Sequence, residues 1–502
     1  MRLSAREMKN FVFREMKRIA LREYYNNAFR RNAIHDGVAV NSLSVSENSR
    51  IATVIQFTQK VIMELKEIMK EAGIVGAGGA GFPSYAKLAD GANVLVINGA
   101  ECEPLLYTDY ILLQKELPMV LAGIKAVLDY AKIPRALLCV KEHTAKRLRL
   151  ANDTEFAKGI ILKTLPDVYP MGDEISLIYQ ATGRVVKPGN LPITAGVIVY
   201  NVETMYNVAA ALKKSEPLTM KWLTIAGAIP EPIVVKVPIG TSVAELFERN
   251  SIVIPEEGYT VLDGGPSMGK VIDPERAVVT KTTKGLLVLP NDCEAVKSKF
   301  LDGEKSVARA ETACCQCTRC TDMCPRALLG YPLEPHKMVR TAKTAASVMP
   351  EMVLSATLCC GCGVCETLAC CQGISPKAVI NEYKALLGKN KMRYVGKIEV
   401  SPAAEREYRM IPSERWASVL GVAKFDKLPK FVGEQSYSRV EILLRQHIGA
   451  PSVPCVLDGD VVQKGDKIAE AAEGLSLPQY ASISGRVTVF DGEKIVIDKV
   501  NE

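Results

Sequence analysis

Two features of membrane and exported proteins are missing from this sequence. No uninterrupted apolar run approaches the roughly 20 residues that a membrane-spanning helix requires. The first residues also lack the apolar core of a secretory signal. We therefore expect a protein without a membrane span that stays in the cytoplasm.

A strong excess of one charge is also missing. The chain has 63 basic and 56 acidic residues, and its formal net charge of +7 is spread along 502 residues. Nucleic-acid-binding domains concentrate basic residues on one surface, so the composition gives no support for a nucleic-acid partner. Hydrophobic residues make up 48% and charged residues 24% of the chain. These fractions exclude a disordered or fibrous protein, and the length accommodates three or four globular domains.

Cysteine is rare outside two short segments, where its spacing is regular. A reducing cytosol keeps crowded thiols available for metal, whereas an oxidising compartment would pair them. The first segment reads C-x2-C-x2-C-x3-C followed by proline, and the second repeats this pattern with one spacer changed. The predicted metal ligands are Cys314, Cys317, Cys320, Cys324, Cys359, Cys362, Cys365 and Cys370.

This spacing favours iron–sulfur clusters. Three thiolates separated by two residues can surround one corner of an iron–sulfur cube, and a fourth thiolate after a short turn completes the coordination. Structural zinc and disulfides are the alternatives, but zinc usually takes two separated C-x2-C pairs rather than an unbroken run. The sequence therefore predicts two [4Fe-4S] clusters and an electron carrier.

Two ligand assignments stay open at this point. Four residues separate Cys365 from Cys370, and Cys371 stands where the first run has a proline, so both Cys370 and Cys371 are candidates for the fourth ligand. We assign Cys370. A long segment separates the two runs, and the cluster that Cys324 serves is undecided. Two cysteines beside first ligands are expected to be spectators: Cys315 and Cys360.

The chain divides into five predicted segments. Residues 1–62 form an extension with a basic helix near its start, which is either an ordinary packed helix or a docking helix for a partner; translation from Met63 is a third reading. Residues 63–215 alternate helices with apolar strands such as Ala136–Val140, which indicates an α/β domain. In residues 216–298 one helix is expected near Val243–Arg249, among short strands at Trp222–Ala226, Ile233–Val237, Tyr259–Leu262 and Gly285–Leu289. A helical cluster domain follows in 299–390, where Met338–Ala346 carries helix formers, and short strands with glycine turns follow in 391–502.

A glycine-rich loop and an acidic strand end lie close together in the α/β domain. The loop at 76–83 allows backbone N–H groups to approach a phosphate or a flat ring, although a flexible hinge is the alternative. The predicted strand Val94–Ile97 is followed at once by Asn98, Glu101 and Glu103. Open α/β sheets hold ligands at the carboxyl ends of their strands, so these side chains suit ribityl or ribose hydroxyls.

Four motifs together carry a family resemblance. The segments GAGGAGFPSYAK, INGAECEP, YPMGDE and NVETMYNV resemble the flavin-binding domain of the respiratory complex I flavoprotein and of the RnfC protein of the Rnf electron-transport complex. The resemblance implies a Rossmann-like domain that binds FMN and accepts hydride from NADH, with Phe82 and Glu174 as catalytic residues near the nicotinamide and the flavin ring. It also implies these cofactor-binding residues: Gly76, Gly78, Gly79, Gly81, Lys87, Asn98, Glu101, Glu103, Gly172, Asn201 and Thr204. The chain departs from the complex I pattern at Ala77 and Ala100, where that pattern has arginine and aspartate.

The remaining segments extend the resemblance. GGPSMG at 264–269 is similar to a β-grasp (SLBB) module of the RnfC protein, and 445–485 resembles its barrel-sandwich, lipoyl-like domain. No lysine occupies the 482–485 turn, so lipoylation is not expected. The barrel comes last here, as in the cobalamin reductase family of propanediol-utilisation microcompartments. The expected fold is therefore a multidomain α/β protein with an FMN domain, a β-grasp module, a two-cluster ferredoxin domain and a C-terminal barrel-sandwich hybrid.

The resemblance implies a path for electrons. A flavin converts the two-electron hydride of NADH into single electrons that iron–sulfur clusters can carry. We expect the acceptor to be a corrinoid at the cobalt(II) level, presented by a corrinoid-handling enzyme or other acceptor protein inside a bacterial microcompartment, with the N-terminal helix contacting a shell protein. One alternative is a component of an Rnf-like membrane complex, and another is a ferredoxin-like relay whose flavin site is empty.

Overall fold

The computed structural model describes residues 64–341, 350–396, 398–490 and 492–500. The predicted N-terminal helix and the alternative start at Met63 lie outside these ranges. A helix predicted at Met338–Ala346 lies inside them only in part, where the structure has a helix at Pro335–Arg340.

The described residues form the following elements. The helices are α1 (Leu65–Glu71), α2 (Thr108–Ala131), α3 (Glu142–Leu148), α4 (Glu174–Thr182), α5 (Val202–Lys214), α6 (Val243–Arg249), α7 (Glu294–Lys297), α8 (Gly303–Ala313), α9 (Arg319–Asp322), α10 (Pro335–Arg340), α11 (Pro350–Ser355), α12 (Pro376–Lys389) and α13 (Ser413–Val419). The strands are β1 (Val94–Gly99), β2 (Ala136–Lys141), β3 (Glu155–Ala157), β4 (Ile160–Leu165), β5 (Val168–Tyr169), β6 (Val197–Asn201), β7 (Met220–Gly227), β8 (Ile233–Pro238), β9 (Tyr259–Asp263), β10 (Lys270–Ile272), β11 (Gly285–Pro290), β12 (Ile411–Pro412), β13 (Lys430–Glu434), β14 (Arg439–Leu443), β15 (Val453–Pro454), β16 (Val461–Val462), β17 (Lys467–Glu470), β18 (Gln479–Tyr480), β19 (Gly485–Phe490) and β20 (Lys494–Asp498).

The first sheet has the order β3-β4-β2-β1-β6, and all its pairings except β3–β4 are parallel. Strand β1 is apolar on both faces because helices cover both sides of the sheet. Leu95 packs in the core with α2 and α5, whereas Val96 packs with α4 on the opposite face. Helices α2 and α5 pack very closely, because a Cβ on Gly123 of α2 would meet the carbonyl oxygen of Met205 in α5 at 2.0 Å.

The second sheet is mixed and has the order β10-β9-β11-β7-β8-β13. Its predicted strands are present, and the predicted helix at Val243–Arg249 is α6. The edge strand β13 pairs in parallel with β8, although it comes from a segment assigned from sequence to the last domain. The second sheet is therefore completed by a strand about 200 residues later in the sequence. Local sequence patterns do not reveal a pairing over that separation.

The remaining parts of the fold are the segment that carries the cysteines and the C-terminal sheets. The segment with both cysteine runs is helical, as predicted, with α8, α10 and α12 packed together. Two small antiparallel sheets, β14-β20-β19-β16 and β15-β17-β18, follow it. Val440, Ile468 and Ile495 are among the residues of their shared core. Within the described ranges, no helix is both long and apolar enough to cross a membrane.

Candidate redox sites

The glycine-rich loop lies against the start of α5. The Ala77 N–H donates to the Thr204 hydroxyl at 3.1 Å. A Cβ on Gly78 or on Gly79 would meet no atom within 4 Å, so this part of the loop has an open face. Gly79 has φ +95°, a conformation that favours glycine. The loop can therefore present backbone N–H groups to a ligand without side-chain interference.

The barrel domain packs behind this loop. The Ile448 N–H donates to the Gly81 carbonyl at 2.9 Å, and a Cβ on Gly81 would lie 2.8 Å from a Thr282 methyl group. His447, next to Ile448, is buried, and its Nε2 accepts a hydrogen bond from the Leu477 N–H at 3.1 Å. Burial lowers the pKa of His447 to about 4. This histidine holds the barrel turn together, which agrees with a structural role.

Three of the predicted motifs meet at the carboxyl end of β1. The Asn98 side-chain amide donates to the Gly172 carbonyl at 3.0 Å, and its oxygen accepts from the Ala100 N–H at 3.1 Å. The Asn201 amide donates to the Asn98 carbonyl at 3.1 Å. A Cβ on Gly172 would lie 2.7 Å from the Ala100 carbonyl oxygen, so this close approach requires glycine. The fold thus brings the strand end, the YPMGDE segment and the start of α5 together.

Lys87 and Glu174 form an ion pair near the same strand end. We name the region bounded by the glycine loop, the carboxyl end of β1 and the start of α4 the flavin-side cleft. Lys87 Nζ is 2.7 Å from Glu174 Oε1 and also donates to the Val199 carbonyl at 3.2 Å. Both side chains keep solvent contact. Phe82 is half-buried, and its carbonyl accepts from the Gly76 N–H at 2.8 Å. Of the two residues predicted as catalytic, Phe82 thus lies in the glycine loop and Glu174 at the start of α4.

Glu101 carries an unsatisfied polar atom. Its Oε2 accepts from the Asp109 N–H at 3.1 Å, whereas its buried Oε1 has no partner. Burial, with the nearby Asp109 carboxylate, raises the pKa of Glu101 to about 8 against the opposing effect of Lys284. A buried acceptor without a partner is costly, and a ligand hydroxyl would satisfy it. Together with the open glycine loop, this atom fits a flavin with its polyhydroxyl chain.

Glu103 contacts the loop between β9 and β10 of the second sheet. Its Oε2 accepts from the Ser267 N–H at 2.8 Å, and the Tyr169 hydroxyl lies 3.4 Å from its Oε1. Burial raises the pKa of Glu103. Ser267 belongs to the GGPSMG segment, so that motif packs directly on the acidic strand end. Ser267 and Tyr169 were missed as site residues, although both lie inside quoted motifs.

The first cysteine group contains a residue from the second run. Burial raises the pKa of Cys320 to about 12, and the thiols that add to this shift are Cys370, Cys317 and Cys314. Cys370 and Cys314 also pack on the same small apolar cluster. Cys371 is exposed, and its sulfur lies within 4.8 Å of Cys315 and Cys317. Cys370 therefore lies near Cys320 in partly buried surroundings, whereas Cys371 lies beside Cys315 and Cys317 at the surface.

The second cysteine group contains a residue from the first run. Burial raises the pKa of Cys324 to about 12, and the nearby thiols of Cys359 and Cys360 add to the shift. The same small cavity is lined by Cys324, Cys359, Cys360, Cys362 and Cys365. Each fourth cysteine thus lies beside the other run, which is the arrangement of two-cluster ferredoxins. The donor sets of four thiols suit cubane clusters in both places.

The second group adjoins the flavin-side cleft. The Tyr169 hydroxyl donates to the Cys362 carbonyl at 2.7 Å, and Arg326, two residues after Cys324, pairs with Asp173 at 2.6 Å. Both members of this ion pair are nearly buried. Asp173 directly precedes Glu174. Arg326 was not singled out from the sequence, because its partner lies 153 residues away.

Comparisons with known proteins identify the types of domain that carry these residues. Residues 69–210 match the family described as the Nuo51 FMN-binding domain, 313–375 the 4Fe-4S dicluster domain, and 433–498 the RnfC barrel sandwich hybrid domain. Cobalamin reductase PduS of Salmonella typhimurium is 37% identical over 86% of this chain and 96% of its own length. The chain belongs to the PduS cobalamin reductase family. As a member of the PduS family with an FMN-type domain, it is an oxidoreductase.

Relatives outside the PduS family match less of the chain. One component of the proton-translocating ferredoxin:NAD(+) oxidoreductase complex of Clostridium ljungdahlii is 32% identical over 53% of this chain and 56% of its own length. A solved NAD+-reducing nickel–iron hydrogenase is 21% identical, with a TM-score of 0.40 over 64% of this chain and 61% of that chain. The PduS match covers 86% of this chain, and the predicted family resemblance is confirmed.

Proposed function

We propose that this protein passes electrons from NADH through FMN and two [4Fe-4S] clusters to a cob(II)alamin or related corrinoid. The contacts between the cleft and the second cysteine group carry this proposal. Tyr169 and Asp173, from one short segment, contact Cys362 and Arg326 of the cluster segment at 2.7 and 2.6 Å. Electron transfer from a flavin to an iron–sulfur cluster requires the two sites to be neighbours, and these contacts join the segments that form them.

The cleft residues have separate roles in this proposal. The open backbone at Gly78 and Gly79 faces the flavin phosphate and ring, with Gly76 and Gly81 shaping the loop. Asn98, Asn201 and Thr204 keep the strand end and the loop in place, and the free Glu101 oxygen accepts from a flavin hydroxyl. Gly172 permits the close approach of its segment to Ala100. Lys87 supplies positive charge for the flavin phosphate, and Glu103 forms part of the wall of the flavin-side cleft. Phe82 and Glu174 face the nicotinamide side. Bound FMN supplies the change from hydride to single electrons.

We assign the metal ligands in two exchanged sets. The first cluster is held by Cys314, Cys317, Cys320 and Cys370, and the second by Cys324, Cys359, Cys362 and Cys365. The mutual proximity of these thiols supports the assignment. Buried surroundings and N–H donors such as Gly361, 3.3 Å from Cys359 Sγ, tune such clusters.

The wider organisation follows from the same family. We propose domain limits of 63–215, 216–298, 299–390 and 391–502, with a Rossmann-like first domain and a β-grasp (SLBB) second domain. The strand β13 of the last segment is the exception, because it completes the second sheet. The matched ranges 69–210, 313–375 and 433–498 each fall within one of these domains. The relatives named cobalamin reductase support a corrinoid acceptor. We further propose a cytoplasmic location in a microcompartment, with a corrinoid-handling partner and a shell contact through residues 1–62.

A relay with an empty flavin site is less well supported. That reading rests on Ala77 and Ala100, where the complex I pattern has charged residues. Both alanines are buried, and each uses its backbone N–H, Ala77 to Thr204 and Ala100 to Asn98. The loop and strand end therefore keep their shape without the charged side chains.

Anaerobic reconstitution tests the proposal. The protein is loaded with iron, sulfide and FMN and titrated with NADH while visible and EPR spectra are recorded. We expect the flavin absorbance to bleach and reduced-cluster EPR signals to appear in the same titration. If iron and sulfide bind but the flavin and cluster spectra do not change with NADH, the result would favour a ferredoxin-like relay instead.

A further inference from the structure

A groove of about 500 Å³ lies beside the second cysteine group and outside the flavin-side cleft. One wall is the GGPSMG loop and the start of β10, and another is the segment 298–301 after α7. The third wall is the second cysteine run, through Gly361, and the start of α12. Three segments far apart in the chain thus converge on one concavity.

The groove has an apolar rim that solvent reaches. Met268, Val271 and Phe300 are exposed by 52%, 43% and 68%, and Leu301 beside them is exposed by 39%. Single exposed apolar residues are ordinary, but several around one concavity are typical of a binding site. The rim therefore suits a large ligand with an apolar surface.

Positive charge exceeds negative charge among the lining residues. Lys299 and Lys377 both direct Nζ to the Ser267 carbonyl, at 2.7 and 3.5 Å, and Lys270 is exposed on the edge strand. The carboxylate in the lining is Glu366, which pairs with Lys377 at 2.9 Å. The lining therefore keeps a net positive charge that favours an anionic group on the ligand.

The floor of the groove lies next to the second cysteine group. Gly361 has φ +74°, and a Cβ on it would meet no atom within 4 Å. Its N–H donates to the Cys359 sulfur at 3.3 Å. One residue of backbone therefore separates the open groove from a thiol that we assign to the second cluster.

We propose that this groove binds the corrinoid acceptor, with the macrocycle against the apolar rim and the nucleotide phosphodiester at the lysines. The choice of a corrinoid rests on the proposed function. The volume lies in the range of roughly 300–1,000 Å³ for small-molecule sites. A corrinoid is larger than the groove, so one face of the macrocycle would lie against it while the rest stays outside. In the reaction one electron that originates from NADH reduces cobalt(II) to cobalt(I), so one NADH serves two corrinoids and no cobalt–protein bond is required.

Binding measurements test the site without depending on turnover. Aquacobalamin binding to the reconstituted protein is measured by equilibrium dialysis for the parent and for Phe300→Glu and Lys270→Glu. Each variant is used once its iron and flavin contents match the parent. We expect the Kd to rise at least about tenfold, equivalent to about 1.4 kcal/mol. Leu457→Glu and Lys158→Glu, exposed positions outside the groove, should bind like the parent.

A second ligand separates the two parts of the proposal. Cobinamide has the macrocycle without the nucleotide phosphate, so Lys270→Glu should weaken its binding less than that of aquacobalamin, whereas Phe300→Glu should weaken both. Equal binding by groove and control variants, or no binding by the parent, would overturn the site. It would also be overturned if the groove variants lost only electron transfer to an acidic acceptor protein. Failure of NADH to bleach the flavin, with binding intact, would instead count against the proposed function.

Discussion

The Tyr169 hydroxyl donates a hydrogen bond of 2.7 Å to the backbone carbonyl of Cys362. The tyrosine ring also stacks on Trp416, with ring centroids 4.6 Å apart, and Trp416 donates to the Ser267 hydroxyl at 2.9 Å. Tyr169 thus contacts the candidate flavin site through Glu103 and the second cysteine group through Cys362. It is a buried link between the two candidate cofactor sites.

Tyr169→Phe should weaken this link while keeping the ring stack. The Cys362 carbonyl loses its partner, which costs about 1–3 kcal/mol of unfolding free energy. We expect slower cluster reduction after a normal flavin-reduction phase in anaerobic stopped-flow spectroscopy. Tyr200→Phe is the matched control, because this buried tyrosine donates to the Ser84 carbonyl at 2.7 Å. An equal delay in both variants would contradict the role of Tyr169.

Arg326→Met should destabilise the protein through Asp173. The Asp173 carboxylate also accepts from the Ser176 N–H at the start of α4, and it would remain buried without its cation. Breaking such a pair costs about 3–5 kcal/mol. The exposed pair Lys430–Glu231 provides the control, where Lys430→Met should have little effect on the free energy of unfolding because solvent screens the pair. Urea unfolding measures both, and equal losses would argue against a buried pair.

Glu101 should give the flavin-free protein a specific pH dependence. Its folded-state pKa is raised to about 8 from an ordinary value of 4.5, chiefly by burial. Stabilisation by the protonated carboxyl is therefore complete below about pH 4.5 and is lost as the pH rises through about 8. We expect Glu101→Gln to be more stable relative to the parent at pH 8.5 than at pH 5.5. The urea midpoints at both pH values test this, with the exposed Glu473→Gln as control.

Exchanged ligation predicts which cysteine variants resemble each other. Cys324→Ser and Cys362→Ser should lose the same cluster, so their remaining EPR signals should coincide. Cys317→Ser and Cys370→Ser should share the other signal. In each variant iron should fall from about eight to about four atoms per chain. Cys371→Ser should retain full iron, and a loss there equal to that in Cys370→Ser would reverse our choice of ligand.

Alanine substitutions at Gly78 and Gly172 should distinguish an effect on FMN binding from an effect on folding. A Cβ at Gly78 meets nothing within 4 Å, whereas one at Gly172 would lie 2.7 Å from the Ala100 carbonyl oxygen. Gly78→Ala should therefore keep the melting temperature of the flavin-free protein but bind FMN more weakly. Gly172→Ala should lower the melting temperature. Calorimetry and a flavin fluorescence titration measure the two effects, and unchanged FMN affinity in Gly78→Ala would remove this loop from the flavin site.

Local chemistry determined much of this protein from sequence alone. Apolar runs predicted β1, β2 and the strands of the second sheet, because a buried strand needs apolar side chains on each covered face. The helix predicted near Val243–Arg249 is present over those residues. Cysteine spacing likewise indicated cluster ligands, since three thiolates two residues apart are already a local coordination unit.

Tertiary packing decided what lies next to what. Sequence left the partner group of Cys324 open, and only the fold places it beside Cys359 and Cys370 beside Cys320. The Glu103–Ser267 bond spans 164 residues and the Tyr169–Cys362 bond 193. Hydrophobic periodicity and secondary-structure propensity do not predict such pairs, because both describe only residues that are close together in the sequence. Long-range contacts form only when burial of the separate apolar faces brings distant segments together.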